Sequence, residues 1–117
     1  MGSKRWKHDE LELARRLGGE RVPVPGRQRG YAPDILHPWL SIEVKSRKSA
    51  MKLIAQMMDQ AVAAEVFSKR RDGKTRLPVG IYHVMGTRFD KAIVFMRMKD
   101  FEDWFVSLKA KVDGAGD

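Results

Sequence analysis

The chain has 117 residues, and its 23 lysines and arginines exceed its 15 aspartates and glutamates to give a net charge of +8. That excess indicates that the protein binds a polyanion such as nucleic acid. The less favoured alternative is a soluble protein that is merely basic. The length predicts one domain over residues 1–117, and the 43% apolar content argues against wholesale disorder. The lack of cysteine excludes thiolate metal sites, and no apolar run reaches the length of a membrane span.

The first half of the chain predicts one helix and three strands. Residues 4–17 form an amphipathic helix that ends at a glycine pair. A weak strand at 21–24 leads into a basic, glycine-bracketed loop at 25–30. Strands at 31–36 and 40–45 then form a hairpin, whose turn contains histidine, proline and tryptophan.

The second half predicts a long helix, two strands and a closing helix. A serine caps a helix at 49–67, which is followed by a charged loop at 69–74. Residues 79–85 and 92–98 have the composition of strands, and Asp100 begins the closing helix. The order αβββαββα predicts an α/β domain with a central mixed sheet flanked by helices.

The predicted hairpin places two carboxylates opposite each other. With the Pro-Trp pair at the centre of a tight turn, Asp34 faces Glu43, and their Cβ atoms lie about 4.5–5.5 Å apart. Lys45 shares the face of Glu43 because side chains alternate along a strand. Opposed carboxylates are best tolerated with a cation between them. We therefore expect Mg²⁺ or Mn²⁺ here, bound by both carboxylates with the Val44 carbonyl as a further oxygen ligand.

The first helix supplies a third acid. Glu10 falls in the middle of the apolar stripe of this helix, whereas Glu12 lies nearly opposite the stripe and Asp9 lies at its margin. A carboxylate on a buried face is costly unless it is paired or bound to a metal. Glu10 is therefore the expected third ligand. The ion would polarise a phosphate and activate a water, which Lys45 would orient.

Together these motifs resemble the PD-(D/E)XK nuclease superfamily, and within it the archaeal-type Holliday junction resolvases and their phage-borne relatives. The resemblance covers about residues 6–65. It rests on Glu10, on Pro-Asp-Ile at 33–35, on Ile-Glu-Val-Lys-Ser-Arg-Lys at 42–48 and on Gln60. The first pieces occur throughout the superfamily, whereas the Lys-Ser-Arg-Lys continuation and the short chain are more typical of the resolvases.

The resemblance implies a restriction-endonuclease-like fold with a Mg²⁺ site. The roles of the family carry over to Asp34, Glu43 and Glu10 as metal-site residues. Lys45 would assist the attacking water, and Gln60 would lie near the site. The family acts as homodimers that place paired nicks across four-way DNA junctions. An intracellular protein of a prokaryotic host or its phage is expected.

A basic rim around the site predicts contacts with DNA phosphates, which give affinity without reading base sequence. Its members flank the first helix, occupy the loop or follow the last motif: Lys4, Arg5, Lys7, Arg27, Arg29, Ser46, Arg47 and Lys48. The family often has a hydroxyl residue where this chain has Pro25, which puts strand selection by the loop in doubt. A second basic cluster at 69–76 is either a solvated loop or a further DNA contact.

The helix at 49–67 is apolar almost all round, which predicts a homodimer interface. Three alternatives to a junction resolvase stay open. One is a nuclease of the same superfamily that acts on flaps, ends or mismatches, and another is a DNA-binding module that has lost activity. The third is a non-specific RNA-binding protein, which the scarcity of exposed aromatic residues disfavours.

Overall fold

The computed structural model of the chain describes residues 2–22 and 32–115, with the side chains of 6–22 and 32–114. These residues have a mixed α/β structure. They belong to two compact units, residues 1–48 and 49–117. The predicted loop at 25–30 lies outside the described residues.

The first unit contains helix α1, Gly2–Leu17, and strands β1, Glu20–Arg21, and β2, Ile35–Leu36. The helix ends as predicted at a glycine pair, whose first member has a φ of +76°. The two strands pair in antiparallel fashion, with Glu20 opposite Leu36 and Arg21 opposite Ile35. On the other side of β2, the predicted hairpin with residues 40–45 is represented by an isolated antiparallel bridge between Ile35 and Ile42.

Close packing between the end of α1 and β2 holds the first unit together. Ile35 is completely buried, and Ala14 and Val22 are also buried. A Cβ atom on Gly19 would lie 2.5 Å from the Leu36 carbonyl oxygen and 2.8 Å from a methyl group of Ile35. Glycine at position 19 thus allows the helix end to approach the strand backbone.

The second unit contains α2, Lys52–Asp72; β3, Gly80–Tyr82; a 3₁₀ turn, Phe89–Lys91; β4, Ile93–Phe95; and α3, Met98–Ala115. The strands pair in antiparallel fashion, and the Phe95 ring occupies the space that a side chain at Gly80 would need. On α3, Phe105 is buried and its ring stacks on that of Phe101, with 5.5 Å between the ring centroids.

The described strands form two two-stranded antiparallel sheets, one in each unit, where the sequence predicted a central mixed sheet. The predicted strand at 40–45 is reduced to the bridge at Ile42. One cause is the Asp34 carboxylate, whose Oδ2 accepts a hydrogen bond from the Val44 N–H at 2.7 Å. A side chain that binds a backbone N–H in this way competes with the backbone ladder of a sheet.

Both predicted ends of the long helix, Ser49 and Phe67, are wrong. The residue before its first turn is Met51, not Ser49, and no side chain caps it. The helix continues past Phe67 to Asp72 and ends at Gly73, whose φ is +74°. The basic residues at 69–71 therefore occupy the last turn, where they interact favourably with the helix dipole.

No residue of α2 is buried, although the helix is rich in apolar side chains. Leu53 and Phe67 are among its large exposed apolar residues. Among the described helices, none is both long and apolar enough to cross a membrane.

Candidate functional site

Asp34 is buried, and its backbone is held by the strand segments on both sides. Its N–H donates to the Ile42 carbonyl at 2.9 Å, and its own carbonyl accepts from the Val22 N–H at 3.0 Å. Its carboxylate accepts from the Val44 N–H. Backbone and side-chain bonds therefore fix both the position and the direction of this acid.

The predicted register of the hairpin is found at one pair, the bridge between Ile35 and Ile42. At Asp34 the N–H donates to the Ile42 carbonyl and the carboxylate accepts from the Val44 N–H, so the predicted pairing of Asp34 with Glu43 stays a prediction. Glu43 and Lys45 are both exposed, whereas Asp34 is buried. The two acids therefore differ in environment, with Asp34 fixed in the interior and Glu43 at the surface.

Glu10 is buried on α1, whereas the Glu12 side chain is 44% exposed, as the helical periodicity predicted. The Glu10 side chain retains 4% of its accessible surface, and its Oε1 lies 3.7 Å from Nε of Arg21. Glu12 instead accepts a hydrogen bond from Nε of Arg15 at 3.0 Å on the surface. The hydrogen bond from Arg15 lowers the pKa of the Glu12 carboxyl.

Arg21 is a residue of the site that the sequence reasoning missed. Its side chain is 15% exposed, and its guanidinium carbon lies 5.4 Å from the centroid of the Trp6 ring, within cation–π range. Arg21 thus contacts both the buried acid and the aromatic residue one turn before it on α1. A buried glutamate needs a nearby cation, but no local sequence pattern identifies Arg21 as that cation.

His37 ties the hairpin turn to the end of α1. Its Nδ1 accepts from the Trp39 N–H at 3.0 Å, and its Nε2 lies 3.0 Å from the Leu17 carbonyl oxygen. These contacts require a neutral ring that is protonated on Nε2. The predicted turn residue also lines a pocket of about 380 Å³, together with Gly18, Gly19, Glu20, Leu36 and Pro38.

The acids of the first unit suit a hard cation by chemistry. Oε1 of Glu10 has no hydrogen-bond partner among the described residues, and a carboxylate is a preferred ligand of Mg²⁺. Within the same described part of the chain, no three acidic, histidine or cysteine side chains are grouped tightly enough to hold an ion by themselves. Mg²⁺ commonly takes only one or two carboxylates and completes its shell with waters and phosphates, so it does not require three grouped acids.

The basic rim is described in part. Lys7, Ser46, Arg47 and Lys48 are exposed. The side chains of Lys4 and Arg5, and the whole of Arg27 and Arg29, lie outside the described residues, as does Pro25.

Gln60 is exposed on α2, in the second unit. Its nearness to the acids therefore stays a prediction.

The second basic cluster includes an ion pair of its own. Arg76 binds the Asp72 carboxylate at the end of α2, and its N–H donates to Glu65 at 3.2 Å. The hydrogen bond from Arg76 lowers the pKa of the Asp72 carboxyl, and the same bond raises the pKa of Arg76. Arg76 is therefore engaged within its own unit.

The chain matches no family model, no curated protein and no solved structure in comparisons with each. A function is therefore inferred from the residues, their spacing and their environments.

Proposed function

We propose that the protein is a metal-dependent, structure-selective DNA endonuclease with a restriction-endonuclease-like fold. It would act as a homodimer that resolves four-way junctions by paired nicks. The observation that carries the proposal is the buried Asp34, which bonds to Ile42 and to Val44 on either side of Glu43, in the unit that also buries Glu10. Burying two carboxylates in so small a unit is costly unless each is paired, hydrogen-bonded or bound to a metal.

The proposed reaction is hydrolysis of a phosphodiester. Glu10, Asp34 and Glu43 would hold Mg²⁺, which supplies charge stabilisation at the phosphate and a water of lowered pKa. The Val44 N–H holds Asp34 in place.

Lys45 supports the same reaction from the surface of the hairpin. It is exposed and lies two positions beyond Glu43 on the strand segment. Its ammonium group would orient the water and offset the negative charge that develops on the phosphate. An exposed lysine at this place can reach a substrate that approaches from solvent.

The charge of the chain supports a DNA substrate. The net charge is +8, and Arg47 and Lys48 are exposed directly after the motif. Arg47 donates to the Ser46 carbonyl at 3.1 Å, which leaves its remaining donors for a phosphate. Contacts of this kind recognise the backbone and its path and carry no base reading, as selection of a branched shape requires.

A second candidate is a DNA-binding module of the same fold that has no catalytic activity. Two observations favour it: Glu43 is exposed, and Arg21 already lies beside Glu10. A buried carboxylate with a cation nearby does not need a metal for its charge balance. Nucleases that act on flaps, ends or mismatches share the proposed site and differ from a resolvase in substrate alone.

The deciding experiment is a Mg²⁺-dependent cleavage assay. A labelled immobile four-way junction is compared with linear duplex, a splayed arm and single-stranded DNA. We expect paired symmetric nicks in the junction alone. Cleavage of the other substrates would keep the nuclease and discard the resolvase, and tight binding without cleavage in any divalent metal would favour the inactive module.

The metal-site residues are tested in the same assay. Asp34→Asn or Glu43→Gln should reduce cleavage by at least about 100-fold, since each removes a charged ligand, and should leave junction binding in metal-free buffer intact or tighter. Glu12→Gln is the matched control, because Glu12 is an exposed acid that pairs with Arg15. Loss of binding by Asp34→Asn in metal-free buffer would contradict the role as a metal ligand.

A further inference from the structure

The first unit holds a largely buried cation, Arg21, beside the acid proposed as a metal ligand. Nε of Arg21 and Oε1 of Glu10 lie 3.7 Å apart, and the two side chains are 15% and 4% exposed. This separation is longer than a hydrogen bond, and neither atom has a hydrogen-bond partner among the described residues. The pair therefore attracts by charge, but both atoms keep unused hydrogen-bonding capacity.

Such a pair contributes little net stability to the fold. Removing two charges from water costs several kcal/mol for each ion, and the attraction repays that cost only when the remaining donors and acceptors are also satisfied. Here the buried oxygen of Glu10 and the buried nitrogen of Arg21 are not. An acceptor in this state can still take another cationic partner.

Arg21 has a second contact that keeps it in place. Its guanidinium lies 5.4 Å from the centroid of the Trp6 ring. Trp6 and Glu10 are four residues apart on α1 and so share one side of the helix. The tryptophan face can hold the guanidinium next to Glu10 without using the carboxylate.

We propose that Arg21 is a positioning residue that serves as the built-in counter-charge of the metal site. It compensates Glu10 in the metal-free protein and is held by Trp6 when the carboxylate turns to a divalent ion. This inference rests on the proposed function, because it takes Glu10 as a metal ligand. Arg21 touches neither substrate nor metal, and it acts by setting the affinity of Glu10 for the ion.

The proposal predicts a tighter metal site when the counter-charge is removed. In Arg21→Gln, Mn²⁺ no longer competes with a guanidinium about 4 Å away, so binding measured by calorimetry should tighten by on the order of tenfold. In metal-free buffer the same variant leaves Glu10 as a buried unpaired charge. Its Tm should fall by about 10 °C, and saturating Mn²⁺ should restore most of this loss.

Two matched variants serve as controls. Arg21→Lys keeps the charge, so its Mn²⁺ affinity should stay within about threefold of that of the wild-type protein. Arg15→Gln removes an equal charge from the same unit, but Arg15 pairs with the exposed Glu12. It should change neither the Mn²⁺ affinity nor the metal dependence of Tm.

A measurement on the unaltered chain covers the case in which Arg21→Gln does not fold. The Nε–H resonance of Arg21, followed by ¹⁵N NMR during a Mg²⁺ titration, should move as the ion binds, and that of Arg15 should not. A stationary Arg21 signal with demonstrated binding would overturn the proposal. So would an unchanged or weaker Mn²⁺ affinity in a folded Arg21→Gln protein.

The wild-type titration separates this inference from the proposed function. If the wild-type protein binds no Mn²⁺ or Mg²⁺, or if Asp34→Asn binds as well as wild type, the metal site fails and the counter-charge role fails with it. If the wild-type protein binds metal through Asp34 and Arg21 has no influence, the counter-charge role alone is wrong.

Discussion

Glu10 and Glu12 show how two positions on one helix can give the same side chain opposite roles. Glu10 is buried beside Arg21, and Glu12 is exposed beside Arg15. Burial removes the screening by solvent that makes a surface ion pair worth little. The environment of each acid, set by the helical repeat, therefore decides whether its charge matters for stability.

This contrast gives a prediction at the scale of the residue. Glu10→Gln leaves the guanidinium of Arg21 without its counter-charge and should destabilise the protein by about 2–4 kcal/mol, somewhat less than a fully buried pair because Arg21 keeps some solvent exposure. Glu12→Gln should leave the stability unchanged within error. Urea denaturation at neutral pH measures both, and equal effects would contradict the assignment of faces on α1.

At the scale of the element, local rules predicted the helices better than the strands. The first helix and its glycine stop follow from residues that are neighbours in sequence. The strand at 40–45 does not, because Asp34, ten positions away, takes the N–H of Val44. The register of the hairpin was nevertheless predictable, since the position of the turn determines which residues face each other.

The glycines at the ends of elements provide a second prediction. Gly19→Ala would place a Cβ atom against the backbone of Leu36, which cannot yield as a flexible side chain does, and should cost about 1–3 kcal/mol. Gly114→Ala is the matched control, because nothing lies near that position on α3. It should be neutral or stabilise by up to about 1 kcal/mol. Thermal melts followed by circular dichroism compare the two, and a neutral Gly19→Ala would contradict the close packing of α1 on β2.

At the scale of the whole molecule, the helical repeat predicted the burial of Glu10, but no pattern predicted the positive charge beside it. The role of Glu10, Asp34 and Glu43 in one site stays a prediction. Arg21 was not predicted because its role depends on a contact between α1 and β1 that no local pattern encodes. Gln60 was reached through family resemblance alone and lies in the other unit.

The excess of positive charge also belongs to this scale, and its effect on DNA binding depends on where the charges lie. Each phosphate that a lysine or arginine neutralises on duplex DNA adds about 0.9 to the slope of log affinity against log salt. Arg47 and Lys48 are exposed and follow the motif directly. The double variant Arg47→Gln/Lys48→Gln should therefore lower the slope for a four-way junction by about 2 in metal-free buffer.

The control for this prediction removes the same charge elsewhere. Lys109 and Lys111 are exposed on α3, so Lys109→Gln/Lys111→Gln has the same net charge as the test variant. If Arg47 and Lys48 contact phosphates, the control should keep the wild-type slope in fluorescence anisotropy titrations over a range of salt concentrations. Equal losses in both variants would mean that the total charge, and not a basic rim beside the acids, attracts the DNA.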